Sequence, residues 1–249
     1  MRRVLAILGL IVAAGCMSAG RSGDALHRIV TDCLDTGDPR YCARCPDPQA
    51  GTCALDYPCT RTTQVWALNQ EYVAIRDIKM CGCGASFVHG LAMPRFTVIG
   101  VEDPRRPDGI WRFAWDAARA RIPEENEIAL AVNPPAWRTQ DQLHLHLVRL
   151  LPGARARVSA MQPIRVERLE EVWAAAAEHA SSRRLDSYGV IVLRGSEGSW
   201  VVAAVGDSPE ASFTLARCDG QSLSDGTSPR NPGIMSTQRR FTSDACSMT

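Results

Sequence analysis

The chain has 249 residues, 45% of them hydrophobic, with 28 Lys and Arg against 27 Asp and Glu, a net charge of +1. That is enough apolar content for one large core. The balanced charge, with no zinc finger, basic helix or similar module, gives no argument for nucleic acid as a partner, and no glycine-rich phosphate loop is present, which excludes a P-loop or dinucleotide-binding unit.

Residues 1–16 read as a targeting segment. Arg2 and Arg3 form a basic start, an apolar run follows over 4–14, and that run is short for a bilayer span, which needs about 20 residues. Ala13, Ala14 and Gly15 before Cys16 resemble a bacterial lipoprotein box, which implies lipidation at Cys16. An ordinary cleaved signal or an uncleaved anchor remains the alternative. Residues 17–24 form a short tether. The expected location is the cell envelope, membrane-anchored, with the domain outside the cytoplasm. Ten cysteines fit an exported, disulfide-bonded protein. Five cluster early (Cys33, Cys42, Cys45, Cys53 and Cys59), and residues 38–58 around them read as a stapled loop. Cys81, Cys83, Cys218 and Cys246 complete the set. Their pairing is not legible from spacing, and a zinc site at Cys42 and Cys45 is the weaker alternative.

Leu26, Ile29, Val30 and Leu34 share one face of a helix over 25–34. Residues 64–68 are ambiguous. Strands are expected over 72–78, over 86–93, where Pro94 ends the run, and over 96–101, before Pro104. His89 reads as a satisfied, half-buried side chain rather than a ligand. A helix over 110–122 places Trp111, Trp115, Ala118 and Ile122 in one stripe, most simply as core. Residues 128–132 form a short buried strand, and Asn133-Pro134-Pro135 turns the chain.

From Gln142 the sequence alternates polar and apolar. On a strand that period sends Leu143, Leu145 and Leu147 to one face and Gln142, His144 and His146 to the other. Paired imidazoles suit nucleophilic or proton-transfer chemistry or decorate a wet strand face. Metal binding is not expected, because no third ligand stands at a suitable spacing. Arg138 and Arg149 bracket the strand, and guanidinium groups fit phosphate oxygens.

This run, with Ile128-Ala129-Leu130-Ala131-Val132-Asn133, Arg138-Thr139-Gln140 and Leu143-His144-Leu145-His146, resembles the bacterial CDP-diacylglycerol pyrophosphatases of the histidine-triad (HIT) superfamily. Weaker patches lie at Tyr72-Val73-Ala74-Ile75, Leu91-Ala92-Met93-Pro94, residues 111–120 and Tyr188-Gly189-Val190-Ile191-Val192. The resemblance spans roughly 25–218. It implies a HIT-like fold and hydrolysis of CDP-diacylglycerol to CMP and phosphatidate without a cofactor. The substrate would be a lipid-linked nucleotide met at the membrane surface. It also implies that His144 is the nucleophile, that His146 supports it, and that Asn133 and Thr139, with Gln142, Arg138 and Arg149, contact substrate. The sequence departs from the pattern at Gln142, where the family's first triad histidine stands, and the segment after the His strand is short. Two other readings follow from the departures: a degenerate HIT-like domain that binds a nucleotide or lipid head group without turnover, or an exported disulfide-rich interaction module.

Beyond Pro152 a helix is expected over 165–180, with His179 near its C-terminal dipole. Residues 188–194 and 199–205 form a hairpin around Gly195-Ser196-Glu197-Gly198. Residues 219–249 read as a disordered tail. The expected architecture is α+β: an antiparallel sheet with packed helices on one side, over residues 25–218.

Overall fold

The computed structural model describes residues 23–34, 64–80 and 83–218. The expected signal segment with Cys16, most of the tether, the 38–58 loop, Cys81, Cys246 and the 219–249 tail lie outside the described residues. Among the described residues eight strands are present: β1 (Val65–Leu68), β2 (Tyr72–Arg76), β3 (His89–Pro94), β4 (Ile128–Val132), β5 (Leu145–Arg149), β6 (Ile164–Val166), β7 (Gly189–Arg194) and β8 (Trp200–Val205). They form one sheet in the order β1-β2-β3-β5-β4-β7-β8-β6, and every neighbouring pair is antiparallel. The helices are α1 (Ala25–Arg28, running into a π turn Ile29–Cys33), α2 (Ile110–Arg119), α3 (Ala154–Ala160), α4 (Val172–Ser182) and α5 (Pro209–Phe213). The fold class is therefore α+β, as expected.

Strand alternation decides which side chains each face offers. One face carries Leu143, Leu145, Leu147, Leu130, Val190 and Val192, buried against α2 and α4 in the main core. Tryptophans fill it edge to face, Trp111 on Trp173 at 4.7 Å and Trp115 on Trp200 at 4.6 Å between ring centroids. Trp111 and Trp115 are thus core residues. The opposite face holds two smaller clusters. Leu26, Val30 and Leu34 cover Val73, Ile75, Leu91 and Met93. Ala154 and Val158 of α3, with Phe213 of α5, cover Ala129, Val148, Ile191, Leu193 and Ala203. Helices therefore pack on both faces rather than on one. Between the two clusters, where Leu91 pairs with His146, this second face turns polar.

Two expected elements differ. Residues 96–101 form a loop, not a strand. The Asp103 carboxylate accepts the N–H of Ile99 at 3.1 Å and of Arg105 at 2.9 Å, which folds the chain back, and Val98 O accepts the Leu143 N–H at 2.6 Å. The expected 165–180 helix is divided: Ile164–Val166 pairs with β8 as an edge strand, and the α-helix begins at Val172 after a 3-10 turn, Leu169–Glu171. Neither α3 nor α5 shows in the hydrophobic pattern, because each buries only a few side chains. The ambiguous 64–68 stretch is β1. His179 stands in the last turn of its helix, as expected, but its ring is buried. Its Nδ1 accepts the Ala204 N–H at 3.0 Å, and its Nε2 lies 3.0 Å from Met161 O.

The β7–β8 hairpin falls where the pattern puts it. Its turn needs left-handed backbone at Glu197 and at Gly198, the latter with φ 84°, a conformation glycine adopts without steric cost.

Candidate active site

The polar patch on the second face is assembled from five separate segments. Strand β5 supplies His146, and the extended residues before it supply Gln142 and His144. β3 begins with His89. The β2–β3 pairing continues one step past β2, with Asp77 N–H on His89 O at 2.9 Å, which sets the Asp77 carboxylate beside the His89 ring. Asn133 follows β4, and Glu210 comes from α5. All of these are buried, so the His face is not a wet strand surface.

His144 Nδ1 lies 2.7 Å from Gln142 O. A carbonyl can only accept, so Nδ1 carries the proton and the lone pair sits on Nε2. Nε2 makes no hydrogen bond among the described residues. The His144 ring meets His146 edge-on at 5.0 Å. His146 Nε2 lies 3.3 Å from Glu210 Oε2, and its Nδ1 is buried with no partner. Glu210 is the hub of the cluster. Its Oε2 also accepts from Asn133 Nδ2 at 2.9 Å, and its Oε1 faces His89 Nε2 at 3.0 Å and pairs with Lys79. His89 Nδ1 in turn lies 2.9 Å from Asp77 Oδ2. Ser208 fixes the amide of Asn133 by donating to its Oδ1 at 2.8 Å, and the same hydroxyl caps α5 by accepting the Ala211 N–H.

Burial sets the charge states. It lowers His144, against the opposing effects of the Gln142 carbonyl and the Glu210 and Asp77 carboxylates. It pulls His146 well below the ordinary imidazole value, against Glu210. Both rings are therefore neutral near neutral pH. Burial works against ionisation of Glu210 too, but His146, His89 and Lys79 around it hold its carboxyl well below the usual range. Asp77 is lowered in the same way, against burial, by His89 and Lys79. His89 is raised, because Asp77 and Glu210 outweigh its burial, and Lys79 is raised by the same two carboxylates. Two anions, Asp77 and Glu210, thus face two cations, His89 and Lys79.

Donor atoms of Asp77, His89 and His146 lie within 4.8 Å of one another, close enough to hold a metal ion. Both His89 nitrogens already face carboxylates, and Lys79 already neutralises Glu210, so the donor set is satisfied by protein cations.

Among the residues singled out from sequence, the structure brings His144, His146 and Asn133 together. Gln142 is fully buried, but its amide points away. Its two N–H groups go to Pro94 O and Phe96 O, each at 3.0 Å, and its Oε1 lies 3.4 Å from His27 Nδ1. It pins the loop after β3 to the strand instead of offering a donor to substrate. Thr139 is exposed on the loop before β5. Arg138 is tied to Glu102 at 2.6 Å and to Asp141 at 3.4 Å. Arg149 pairs with Glu124 at 2.9 Å and with Glu127. Alternation along β5 puts it on the opposite face from His146.

Asp77, Lys79, Ser208 and Glu210 join the cluster without having been singled out from sequence, and His89 is a satisfied side chain as expected, fully rather than half buried. The Ser208-Pro209-Glu210 run is a helix-start signal, but nothing local marks Glu210 as a site residue. A disulfide joins Cys83 to Cys218 across 135 residues, tying the segment after Lys79 to the segment after α5.

A protein-family model described as CDP-diacylglycerol pyrophosphatase matches residues 21–198, well over half of the chain. The matched region contains His89, His144 and His146 and ends before Glu210.

Proposed function

The chain belongs to the CDP-diacylglycerol pyrophosphatase family, hydrolases of a phosphoanhydride bond, and from that premise we propose that it splits its lipid-linked nucleotide through a covalent CMP–histidine intermediate on His144. The observation that carries this reading is the His144–Gln142 contact: Nδ1 is held by the Gln142 carbonyl, so the Nε2 lone pair is available to attack. In the first step Nε2 forms a bond to the phosphorus bearing cytidine, and the bridging P–O bond breaks. Phosphatidate leaves with that electron pair. In the second step water attacks the same phosphorus and gives up a proton toward His146, the P–N bond breaks, CMP departs and His144 returns to neutral. Two easier displacements replace one difficult one.

His146 is assigned proton and charge handling. A proton taken up at its unpartnered Nδ1 makes an imidazolium, which Glu210 stabilises through Nε2–H. Asn133 and Gln142 act in positioning, because their amides are engaged within the protein. Thr139, exposed ahead of β5, is left for phosphate contact. Arg138 and Arg149, both engaged in ion pairs, bind substrate only if those pairs open.

The substrate is met at a membrane surface, outside the cytoplasm. The Cys83–Cys218 disulfide supports an oxidising compartment. No helix among the described residues is long and apolar enough to cross a membrane; anchoring is assigned to the N-terminal segment, through lipid on Cys16 or an uncleaved signal-anchor. Phe96 and Ile99 are the large apolar side chains left exposed among the described residues, and both stand on the loop that Gln142 pins.

The test is CMP release from CDP-diacylglycerol in detergent micelles by protein made in an oxidising compartment. Wild type is expected to turn over and His144→Ala to lose turnover entirely. Well-folded wild type that releases no CMP would sink the enzymatic reading. It would favour the second one, a nucleotide or head-group binding domain without turnover, which the engaged amide of Gln142 supports.

A further inference from the structure

Of the 28 Lys and Arg side chains 27 are arginine, and the single lysine is Lys79. It stands on the 3-10 turn Ile78–Met80. That turn is fixed from within, because the Lys79 N–H donates to Asp77 Oδ1 at 3.0 Å. The ammonium group reaches the site and pairs with Glu210 Oε1, the oxygen that His89 also faces.

The charge around His144 makes this placement matter. Hydrolysis of a diphosphate builds negative charge on non-bridging oxygens, and donors aimed at that charge lower the barrier. In the triad pattern a histidine at position 142 would stand among those donors. Here the residue is Gln142, and its amide is spent on Pro94 and Phe96. Burial keeps His144 and His146 neutral. His89 is cationic but has no exposed surface, and both its nitrogens face carboxylates. Arg138 and Arg149 are bound to acidic partners elsewhere. Arg217 is near enough to repel Lys79, but it lies beyond α5. Lys79 is the cationic member of the cluster that reaches solvent. Its side chain is 36% exposed, against 7% for Glu210 and Asp77 and 5% for His146.

We propose that Lys79 is a substrate-binding residue whose ammonium group, aimed by Glu210, contacts the non-bridging phosphate oxygens and supplies the positive charge that Gln142 cannot. This rests on the reading of His144 as the reacting group. A compact ammonium on a flexible stem suits the role, since it acts as a point charge and can turn between a carboxylate and a phosphate. Its position also favours the neutral form of the nucleophile, because the cation pairs with Glu210 rather than with His144 and its charge works against protonation of that ring.

The experiment compares Lys79→Met and Lys79→Arg with wild type for CMP release. In parallel, binding of CMP and of cytidine is measured by calorimetry on the His144→Ala protein with and without Lys79→Met, and melting curves check that each variant is folded. Lys79→Met is expected to lower kcat/KM by about 10²-fold, with Lys79→Arg recovering much of it. CMP affinity should fall roughly tenfold, while cytidine, which has no phosphate, binds as before. A purely structural lysine would weaken both ligands together or neither, and either result overturns the proposal. Loss of turnover in His144→Ala combined with unchanged kcat/KM in Lys79→Met would remove Lys79 from the mechanism and leave the nucleophile standing.

Discussion

An imidazole attacks phosphorus only when its lone pair is free, so the acidity of one ring, His144, sets the acid limit of the reaction. Its ordinary value is 6.5, and burial lowers it in the fold. The reactive form is the unprotonated one, so the rate is retained above the folded value and lost below it. The acid limb of kcat/KM is therefore expected below pH 6.5, and a limb at or above 6.5 would contradict a buried nucleophile. Glu210 raises His144 by its charge, so in Glu210→Gln the limb should move further toward acid, whatever happens to the maximal rate. The pair His144 and His146 was legible because period-2 alternation is a local property of seven residues. The role of Gln142 was not. Its side chain satisfies two carbonyls of a loop some 46 residues away in sequence, and no local pattern announces such a contact.

At the scale of elements, the site depends on a helix of five residues. α5 buries only Pro209, Glu210 and Phe213, too little for an amphipathic stripe, and helices this short are not stable by themselves. Three things hold it in place: the Ser208 cap, Phe213 in the second-face core, and the disulfide from Cys83 to Cys218 just beyond it. Chain entropy alone gives a cross-link closing 135 residues about 5 kcal/mol of stabilisation. Reduction, or Cys83→Ser with Cys218→Ser, is expected to lower the melting temperature by several degrees. Because α5 carries Glu210, turnover should fall already at temperatures where the sheet is intact by circular dichroism. Activity and melting that both survive reduction would show that α5 docks without the bond. Contiguous strands such as 128–132 and the β7–β8 hairpin were readable, since their pattern is complete within each element. The helix expected over 165–180 was misread for a related reason: Val166 and Leu169 fit a helical stripe, but edge pairing of Ile164–Val166 with β8 outweighs local propensity.

For the molecule as a whole, the second face of the sheet cannot be one continuous core. Two apolar clusters flank a strip where apolar side chains give way to His89, His144, His146, Asp77 and Glu210. A buried polar strip is tolerable when its charges balance, and it then makes stability depend on pH. His144 and His146 have folded values below 6.5. As pH falls below 6.5 the unfolded chain binds their protons and the fold does not, so stability drops by about 1.4 kcal/mol per unit for each ring until the folded value is reached. His89 works in the other direction. Its folded value is above 6.5, so its contribution is complete below 6.5 and is lost as pH rises through the folded value. Asp77 and Glu210, both lowered, contribute fully above their ordinary values of 3.8 and 4.5 and add to the loss on the acid side. The cluster should therefore give a stability maximum near pH 6.5, falling more steeply toward acid, where two histidines act, than toward base, where one does. Chemical denaturation at a series of pH values measures it. His146→Asn should shallow the acid limb and His89→Asn the alkaline one. A profile flat from pH 5 to 8 would mean that these rings are solvated in solution and that the strip is not sealed.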